Sequence, residues 1–314
     1  MKILLTTTSF QDTPGRHHDL LTSLSWDIDY LRGPLDESVL LPIIHNYDGV
    51  ICGDDEYTRE VIKAGKEGKL KMLSKYGVGL DKIDLEAAKE FGIEVANVPG
   101  INQVSVSEHV LALLFAFSKN IHLQHNSVQQ GSWKREIGSE IQGKTMGIIG
   151  LGAVGKELGK KASALGMKVL AYDVFKDQGF LDKHPDIGFT RDIDDIYSKC
   201  DIISLHLPHT KLTDKLINNI VITTKLKKQP IIINTSRGKL IDPYAVISGI
   251  KNKYIKGYLC DVLDTEPIVE NEILLGIENV LITPHVGSRT FENVQNQGER
   301  SIVNLSNYLF EEHE

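Results

Sequence analysis

The sequence predicts an α/β protein with two doubly wound parallel sheets, and three features carry that prediction. Short runs rich in β-branched residues alternate with helical patterns along the whole chain, as in parallel sheets covered by helices on both faces. The turn Asn97-Val-Pro-Gly100 divides these runs into two sets, and a glycine-rich loop at 150–155 follows the first strand of the second set. The 314 residues suffice for two domains with full cores.

The first set has five predicted strands joined by helical patterns, of which 58–66 and 84–91 are the clearest. Asp84 is expected to cap the second of these helices by accepting a hydrogen bond from a backbone amide of its first turn. The predicted strands are Ile3–Leu5, Asp27–Tyr30, Gly49–Ile51, Lys71–Ser74 and Ile93–Val95.

The second set has six predicted strands and forms a complete doubly wound domain by itself. A long apolar helix over 104–120 precedes it. A helix over 290–312 follows its last strand and is expected to return to the first domain. The predicted strands are Thr145–Ile149, Lys168–Tyr172, Asp201–Leu205, Ile231–Asn234, Tyr258–Asp261 and Val280–Thr283.

Composition argues against several kinds of partner. The formal net charge is −7 and no dense block of Lys and Arg occurs, so no nucleic-acid partner is expected. The most apolar segment, Val110–Phe117, is far shorter than the roughly 20 residues that span a bilayer, so no membrane partner is expected either. Three scattered cysteines without CxxC spacing indicate reduced thiols in a cytoplasmic protein and no metal site.

The loop Gly150-Leu-Gly-Ala-Val-Gly155 has the GxGxxG pattern between a predicted strand and a predicted helix, which is the context that a dinucleotide site requires. Gly150 permits the tight turn, Gly152 lets the backbone approach a pyrophosphate, and Gly155 lets helix and strand pack closely. With Ala153 and Val154, these glycines are predicted to bind the phosphates at the positive end of the helix.

Asp173 ends the next predicted strand, where a carboxylate would bind the ribose hydroxyls of the cofactor and repel a 2′-phosphate. Since no arginine follows it closely, NAD is predicted in preference to NADP. The alternative is a glycine-rich structural turn with Asp173 as a cap.

Three ionisable residues, Arg237, Glu266 and His285, follow consecutive predicted strands of the second set. Ligands bind outside the carboxyl ends of such strands, so these side chains are expected to share a cleft. Taken singly, each has a structural alternative. Arg237 would then be an ion-pair partner, Glu266 a loop residue before Pro267, and His285 a histidine that merely ends a strand.

Further short motifs accompany the glycine loop, and the combination is specific. They are Lys75-Tyr-Gly-Val-Gly-Leu-Asp-Lys-Ile-Asp84, Asn97-Val-Pro-Gly-Ile-Asn102, Gly131-Ser-Trp-Lys-Arg135, Leu205-His-Leu-Pro208, Asn234-Thr-Ser-Arg-Gly238 and Thr283-Pro-His285. Through them the chain resembles the D-isomer-specific 2-hydroxyacid dehydrogenases over nearly its whole length, and within that family the phosphoglycerate dehydrogenase-like branch.

The resemblance implies a reaction that interconverts a D-2-hydroxy acid and its 2-keto acid with NAD. Arg237, Glu266 and His285 then become the catalytic residues. His285 would exchange a proton with the carbonyl oxygen, Glu266 would favour and orient the charged imidazole, and Arg237 would bind the substrate carboxylate. The resemblance also assigns cofactor contacts to His206, Thr235 and Asp261, and substrate contacts to Lys75 and the amides of Val78 and Gly79. His206 and Asp261 also have purely structural alternatives.

The resemblance further implies how the domains are arranged. A Rossmann NAD-binding domain, 99–286, would be inserted in a flavodoxin-like substrate domain made of 1–98 and 287–314. A homodimer that pairs through the NAD-binding domain is expected, and so is the absence of a regulatory domain.

The identity of the substrate stays open between phosphoglycerate, hydroxypyruvate, glyoxylate and another small polar acid. Lys75 favours a phosphorylated substrate, whereas the acidic run Asp54-Asp-Glu56 opposes one. Two other functions are alternatives: a nicotinamide-sensing corepressor of the same fold, and a formate- or phosphite-type dehydrogenase.

Overall fold

The computed structural model describes residues 1–311. The chain separates into two compact units, each with its own parallel sheet. The first unit consists of Met1–Asn102 and the C-terminal segment from Arg289 onwards, and the second is Gln103–Ser288. The two boundaries between these units, after Asn102 and after Ser288, lie a few residues beyond the boundaries predicted from the sequence. The prediction of two parallel α/β domains is confirmed.

The sheet of the first unit has the strand order β2-β1-β3-β4-β5, in which the direction of winding reverses between β1 and β3. All four strand pairings are parallel. The strands are β1 (Lys2–Leu5), β2 (Asp27–Tyr30), β3 (Gly49–Cys52), β4 (Met72–Lys75) and β5 (Glu94–Ala96). The first five helices are α1 (Thr8–Asp12), α2 (Arg16–Ser23), α3 (Glu37–Leu40), α4 (Arg59–Glu67) and α5 (Leu85–Phe91).

The sheet of the second unit has seven parallel strands in the order β12-β11-β10-β9-β6-β7-β8, with the reversal between β6 and β9. The strands are β6 (Thr145–Ile149), β7 (Lys168–Tyr172), β8 (Ile187–Thr190), β9 (Ile202–Leu205), β10 (Ile231–Asn234), β11 (Gly257–Cys260) and β12 (Val280–Ile282). The sequence prediction of six strands was wrong, because it missed the edge strand β8. Its four residues include a glycine and are buried only at Ile187, so they carry a weak strand pattern.

The helices of the second unit cover both faces of its sheet. Adjacent residues of one strand, such as Ile148 and Ile149, belong to different hydrophobic cores, as the alternation of side chains along a strand requires. The helices are α6 (Gln103–Ser118), α7 (Ile121–Gln129), α8 (Ala153–Ala164), α9 (Gln178–Lys183), α10 (Ile193–Lys199) and α11 (Pro243–Lys251). The predicted helix 104–120 ends early, because Asn120 is left-handed with φ 53°.

The last helix, α12 (Phe291–Glu311), packs against α2, β3 and β4 of the first unit. Leu305 is fully buried there, and a Cβ atom at Gly49 would lie 2.6 Å from it. Position 312, the predicted end of this helix, lies outside the described residues. The expected cap is also present in this unit, since the Asp84 carboxylate accepts a hydrogen bond from the Ala87 amide at 2.8 Å.

Within residues 1–311 no helix is both long enough and apolar enough to cross a membrane. The same part of the chain holds no group of three or more His, Cys, Asp or Glu side chains arranged for a metal ion. All three cysteines are buried thiols.

Candidate active site

The glycine loop that follows β6 is shaped by close backbone contacts. Gly150 has φ +101°, and a Cβ atom there would lie 2.2 Å from the carbonyl oxygen of His206. A Cβ atom at Gly155 would lie 2.1 Å from the carbonyl oxygen of Gly150. Neither position tolerates a side chain. At Gly152 a Cβ atom would meet nothing within 4 Å, so open space faces the loop where α8 begins.

Asp173 follows β7 and is held against this loop. One carboxylate oxygen accepts a hydrogen bond from the Leu151 amide at 2.6 Å, and the other accepts one from the Phe175 amide at 2.9 Å. A carboxylate oxygen can accept a second hydrogen bond, so both retain capacity for ribose hydroxyls. Asp173 thus holds the loop and presents a negative charge beside it.

The opposite side of the loop is formed by the ends of β9 and β10. His206 lies in contact distance of Gly150, and its Nε2 is 2.9 Å from the Ser204 hydroxyl. Burial lowers the pKa of His206 to about 4, so its imidazole is neutral at physiological pH. The buried Thr235 hydroxyl has no hydrogen-bond partner among the described residues. A loop that excludes side chains, open space before a helix and an unsatisfied hydroxyl together fit a dinucleotide.

Asp173→Ala tests the selectivity of this cofactor site. Loss of the charge removes the repulsion of a 2′-phosphate and the contact with the ribose, so the ratio of kcat/KM with NADH to that with NADPH should fall at least about tenfold, or ~1.4 kcal/mol. Asp186→Ala is the matched control, because that carboxylate is also on a surface loop of this unit but bonds Ser163. An unchanged ratio would count against the role of Asp173.

Glu266 and His285 form a direct pair. His285 Nδ1 lies 2.6 Å from one oxygen of Glu266, and the other oxygen accepts a hydrogen bond from the Leu263 amide at 2.8 Å. The His285 side chain is 40% exposed and the Glu266 side chain 36%, so the pair can be reached from solvent. Because Nδ1 bonds the carboxylate, an exchange of a proton between this imidazole and a substrate would have to use Nε2.

Arg237 follows β10 in a turn that is organised by the buried side chain of Asn234. The Asn234 amide donates to the Arg237 carbonyl at 2.8 Å and accepts from the Ser236 amide at 3.1 Å. The next residue, Gly238, packs tightly on the loop of Glu266, since a Cβ atom there would lie 2.1 Å from the Leu263 carbonyl carbon. The strands β10, β11 and β12 are neighbours, so the residues that follow them emerge at one sheet edge.

Asp261 is the buried centre of the loop that carries His285. It is 2% exposed and accepts hydrogen bonds from the Thr283 hydroxyl at 2.6 Å and from the amides of Val286 at 2.9 Å and Gly287 at 2.7 Å. Burial by itself would raise the pKa of Asp261, but these bonds and His109 outweigh burial and lower it. Asp261 is therefore ionised at neutral pH.

His109, on α6, was missed by the sequence reasoning. Its Nε2 lies 2.9 Å from the Thr283 hydroxyl and 3.3 Å from Asp261. No local pattern indicated the contact, because 174 positions separate His109 from Thr283.

The predicted substrate residues of the first unit lie at and after the end of β4. The Lys75 ammonium is buried and bonds the Gly53 carbonyl at 2.5 Å and the Asp54 carboxylate at 2.6 Å. Val78 is exposed, and its carbonyl accepts a hydrogen bond from Asn97 at 2.7 Å. Gly79 follows it in the same loop.

Comparison with known proteins places the chain in a family. Residues 111–287 match the model of the D-isomer specific 2-hydroxyacid dehydrogenase NAD-binding domain. The chain is 38% identical over 278 residues to a D-3-phosphoglycerate dehydrogenase of Synechocystis, covering 87% of this chain but 49% of that protein. It therefore spans about half the length of that relative.

Two further comparisons extend over nearly whole chains. A hydroxypyruvate reductase of Thermotoga maritima is 36% identical over 283 residues, covering 88% of this chain and 89% of that protein. The apo-structure of D-lactate dehydrogenase from Escherichia coli superimposes with a TM-score of 0.84 at 27% identity, covering 98% and 96% of the two chains. The chain belongs to the D-isomer-specific 2-hydroxyacid dehydrogenase family, and its second unit is the NAD-binding domain of that family.

Proposed function

We propose that this protein is an NAD-dependent dehydrogenase that interconverts a D-2-hydroxy acid and its 2-keto acid. The observation that carries the proposal is the 2.6 Å pair of His285 and Glu266 at the sheet edge that also bears Arg237. Family membership and the geometry of the glycine loop support the same conclusion.

When bound, the reduced nicotinamide supplies a hydride for C2 of the keto acid. His285 gives a proton from Nε2 to the carbonyl oxygen, and in the reverse direction it removes the proton of the hydroxyl. Glu266 accepts the Nδ1 hydrogen bond, which favours the imidazolium and fixes the ring. Arg237 binds the substrate carboxylate with its planar fork and places positive charge beside the developing alkoxide.

For the cofactor we assign the backbone of Gly150, Gly152, Ala153, Val154 and Gly155 to the pyrophosphate. Asp173 is assigned to the ribose, the neutral His206 and the Thr235 hydroxyl to the nearby part of the dinucleotide, and Asp261 to the nicotinamide side. We assign the first unit to the substrate, with Lys75 and the amides of Val78 and Gly79 as its contacts. In the described residues neither of these two amides donates to another protein group, as an anion-binding pair requires.

The charges at the carboxyl edge of the first sheet favour a substrate without a phosphate. Lys75 is the lysine at this edge that we assign to the substrate, and its ammonium group is already neutralised by Asp54. Asp55 is buried beside it at the β1/β3 reversal and accepts a hydrogen bond from Thr6 at 2.5 Å. A phosphate dianion would meet the exposed Asp54 carboxylate and a lysine that is already paired, whereas a hydroxymethyl group would not be repelled.

A panel of 2-keto acids tests both the reaction and this preference. With NADH, kcat/KM for hydroxypyruvate or glyoxylate should exceed that for 3-phosphohydroxypyruvate at least about tenfold, or ~1.4 kcal/mol. Asp54→Asn should narrow this difference in kcat/KM, because it removes the carboxylate that is paired with the Lys75 ammonium. Glu56→Gln, which breaks the exposed pair with Lys82, serves as the control for loss of one carboxylate.

The outcomes of the panel separate the possible functions. A wild-type preference for the phosphorylated acid would overturn the substrate assignment alone. NADH binding without turnover of any acid would support the corepressor alternative, and turnover of formate or phosphite instead would support the other dehydrogenase class.

We further propose a cytoplasmic homodimer that pairs through the second unit. Large apolar side chains are exposed on α7 and in the segment after it, as a surface that is covered in an assembly would show. They are Ile121, Leu123, Val128, Trp133 and Ile137. The cysteines support this proposal, since all three are buried and form no disulfide, as is usual for thiols in a reducing compartment.

A further inference from the structure

We infer that His109 is a positioning residue that fixes the loop bearing His285, through Asp261 and Thr283. The inference rests on the proposed function and adds one residue to it. His109 lies on α6, far along the chain from the strands β10, β11 and β12 that precede the proposed catalytic residues. The contacts that support it all lie inside the second unit.

The direction of each hydrogen bond follows from the number of protons available. The Thr283 hydroxyl donates its single proton to Asp261 at 2.6 Å, so it accepts from His109 at 2.9 Å. His109 Nε2 therefore carries a proton, and this nitrogen lies 3.3 Å from the ionised Asp261 carboxylate. The Thr283 hydroxyl thus bridges His109 and Asp261, and the imidazole also lies beside the buried carboxylate.

The carboxylate held in this way fixes the residues on both sides of His285. Asp261 binds the side chain of Thr283 before it and the amides of Val286 and Gly287 after it. The His285 amide itself donates to the Asp261 carbonyl at 2.9 Å. His285 has φ 53°, a left-handed conformation that a non-glycine residue keeps only where its surroundings hold it.

Packing makes the same connection. A Cβ atom at Gly287 would lie 2.9 Å from the Asp261 carboxylate and 3.4 Å from the His109 ring, so the His285 loop rests directly on both side chains. A smaller residue at 109 would leave a gap beneath Gly287 and remove the donor at the same time. The expected result is a shift of His285 relative to its substrate, and a misplacement of 1 Å can cost ~10²-fold in rate.

The test compares His109→Ala with His109→Gln, whose amide can still donate to Thr283 and Asp261. The alanine variant should lower kcat on the order of 10-fold or more, and the glutamine variant should recover most of kcat. His184→Ala is the matched control, since His184 follows α9 in the same unit and contacts the Phe180 ring. Thermal midpoints of all variants report on folding.

A double-mutant cycle gives a second, independent readout. Thr283→Val removes the shared hydroxyl at nearly constant volume, and if one network is involved, the effects of His109→Ala and Thr283→Val on kcat should not add. Wild-type kcat in His109→Ala, additive effects in the cycle, or equal losses for alanine and glutamine would each overturn the inference. A wild-type protein without turnover would instead refute the proposed function.

Discussion

His285→Ala should reduce kcat for 2-keto acid reduction by ~10²–10⁴-fold, the range that a positioned general acid supplies. The reason is that Nε2 of His285 is the proton donor in the proposed reaction, while its Nδ1 is bound by Glu266 at 2.6 Å. The affinity for NADH, measured by fluorescence, should stay near wild type, because His285 is not among the residues assigned to the dinucleotide.

Glu266→Gln distinguishes a general acid from a histidine that only shapes the loop. Glutamine keeps the size of the side chain but removes the charge that faces Nδ1 of His285, so kcat/KM for reduction of the keto acid should fall. His209→Ala is the control, since His209 and Asp214 form a similar pair at 2.8 Å elsewhere in the second unit. If His285→Ala kept most of its turnover, the proton route proposed here would be wrong.

The features that were predictable from sequence are those encoded within a few neighbouring residues. The glycine loop is a pattern within six consecutive residues, and the strand before Arg237 begins with three consecutive isoleucines. Asp84 caps its helix through an amide three positions away. Such local patterns fix where the site lies along the chain, because parallel strands bring their carboxyl ends to one edge.

The contacts that escaped prediction join distant segments. Lys75 was expected to meet the substrate directly, and its pairing with Asp54 depends on the register of β3 against β4. The contact of His109 with Thr283 depends on how α6 lies against the sheet edge, which no pattern in either segment specifies. The edge strand β8 escaped because an edge is less buried and needs fewer apolar residues.

Arg237→Ala should lower kcat/KM for the keto acid by ~10²–10³-fold, the effect of removing one preorganised donor from a developing oxyanion. The turn around Asn234 holds the backbone of Arg237 through its carbonyl oxygen, so the variant keeps the loop while losing the guanidinium. Both KM and kcat should change, since the side chain is assigned to the substrate carboxylate and to the alkoxide.

Arg237→Lys separates charge from geometry. A lysine restores the positive charge but not the planar pair of donors, so its kcat/KM should lie between wild type and Arg237→Ala. Arg191→Ala, an exposed arginine on a loop of the same unit, controls for the loss of one charge from the second unit. Equal activity of the lysine variant and wild type would mean that charge alone suffices. Equal activity of the alanine variant and wild type would show that Arg237 does not bind the substrate. The turn at Asn234 would then serve only the close packing of Gly238 on Leu263.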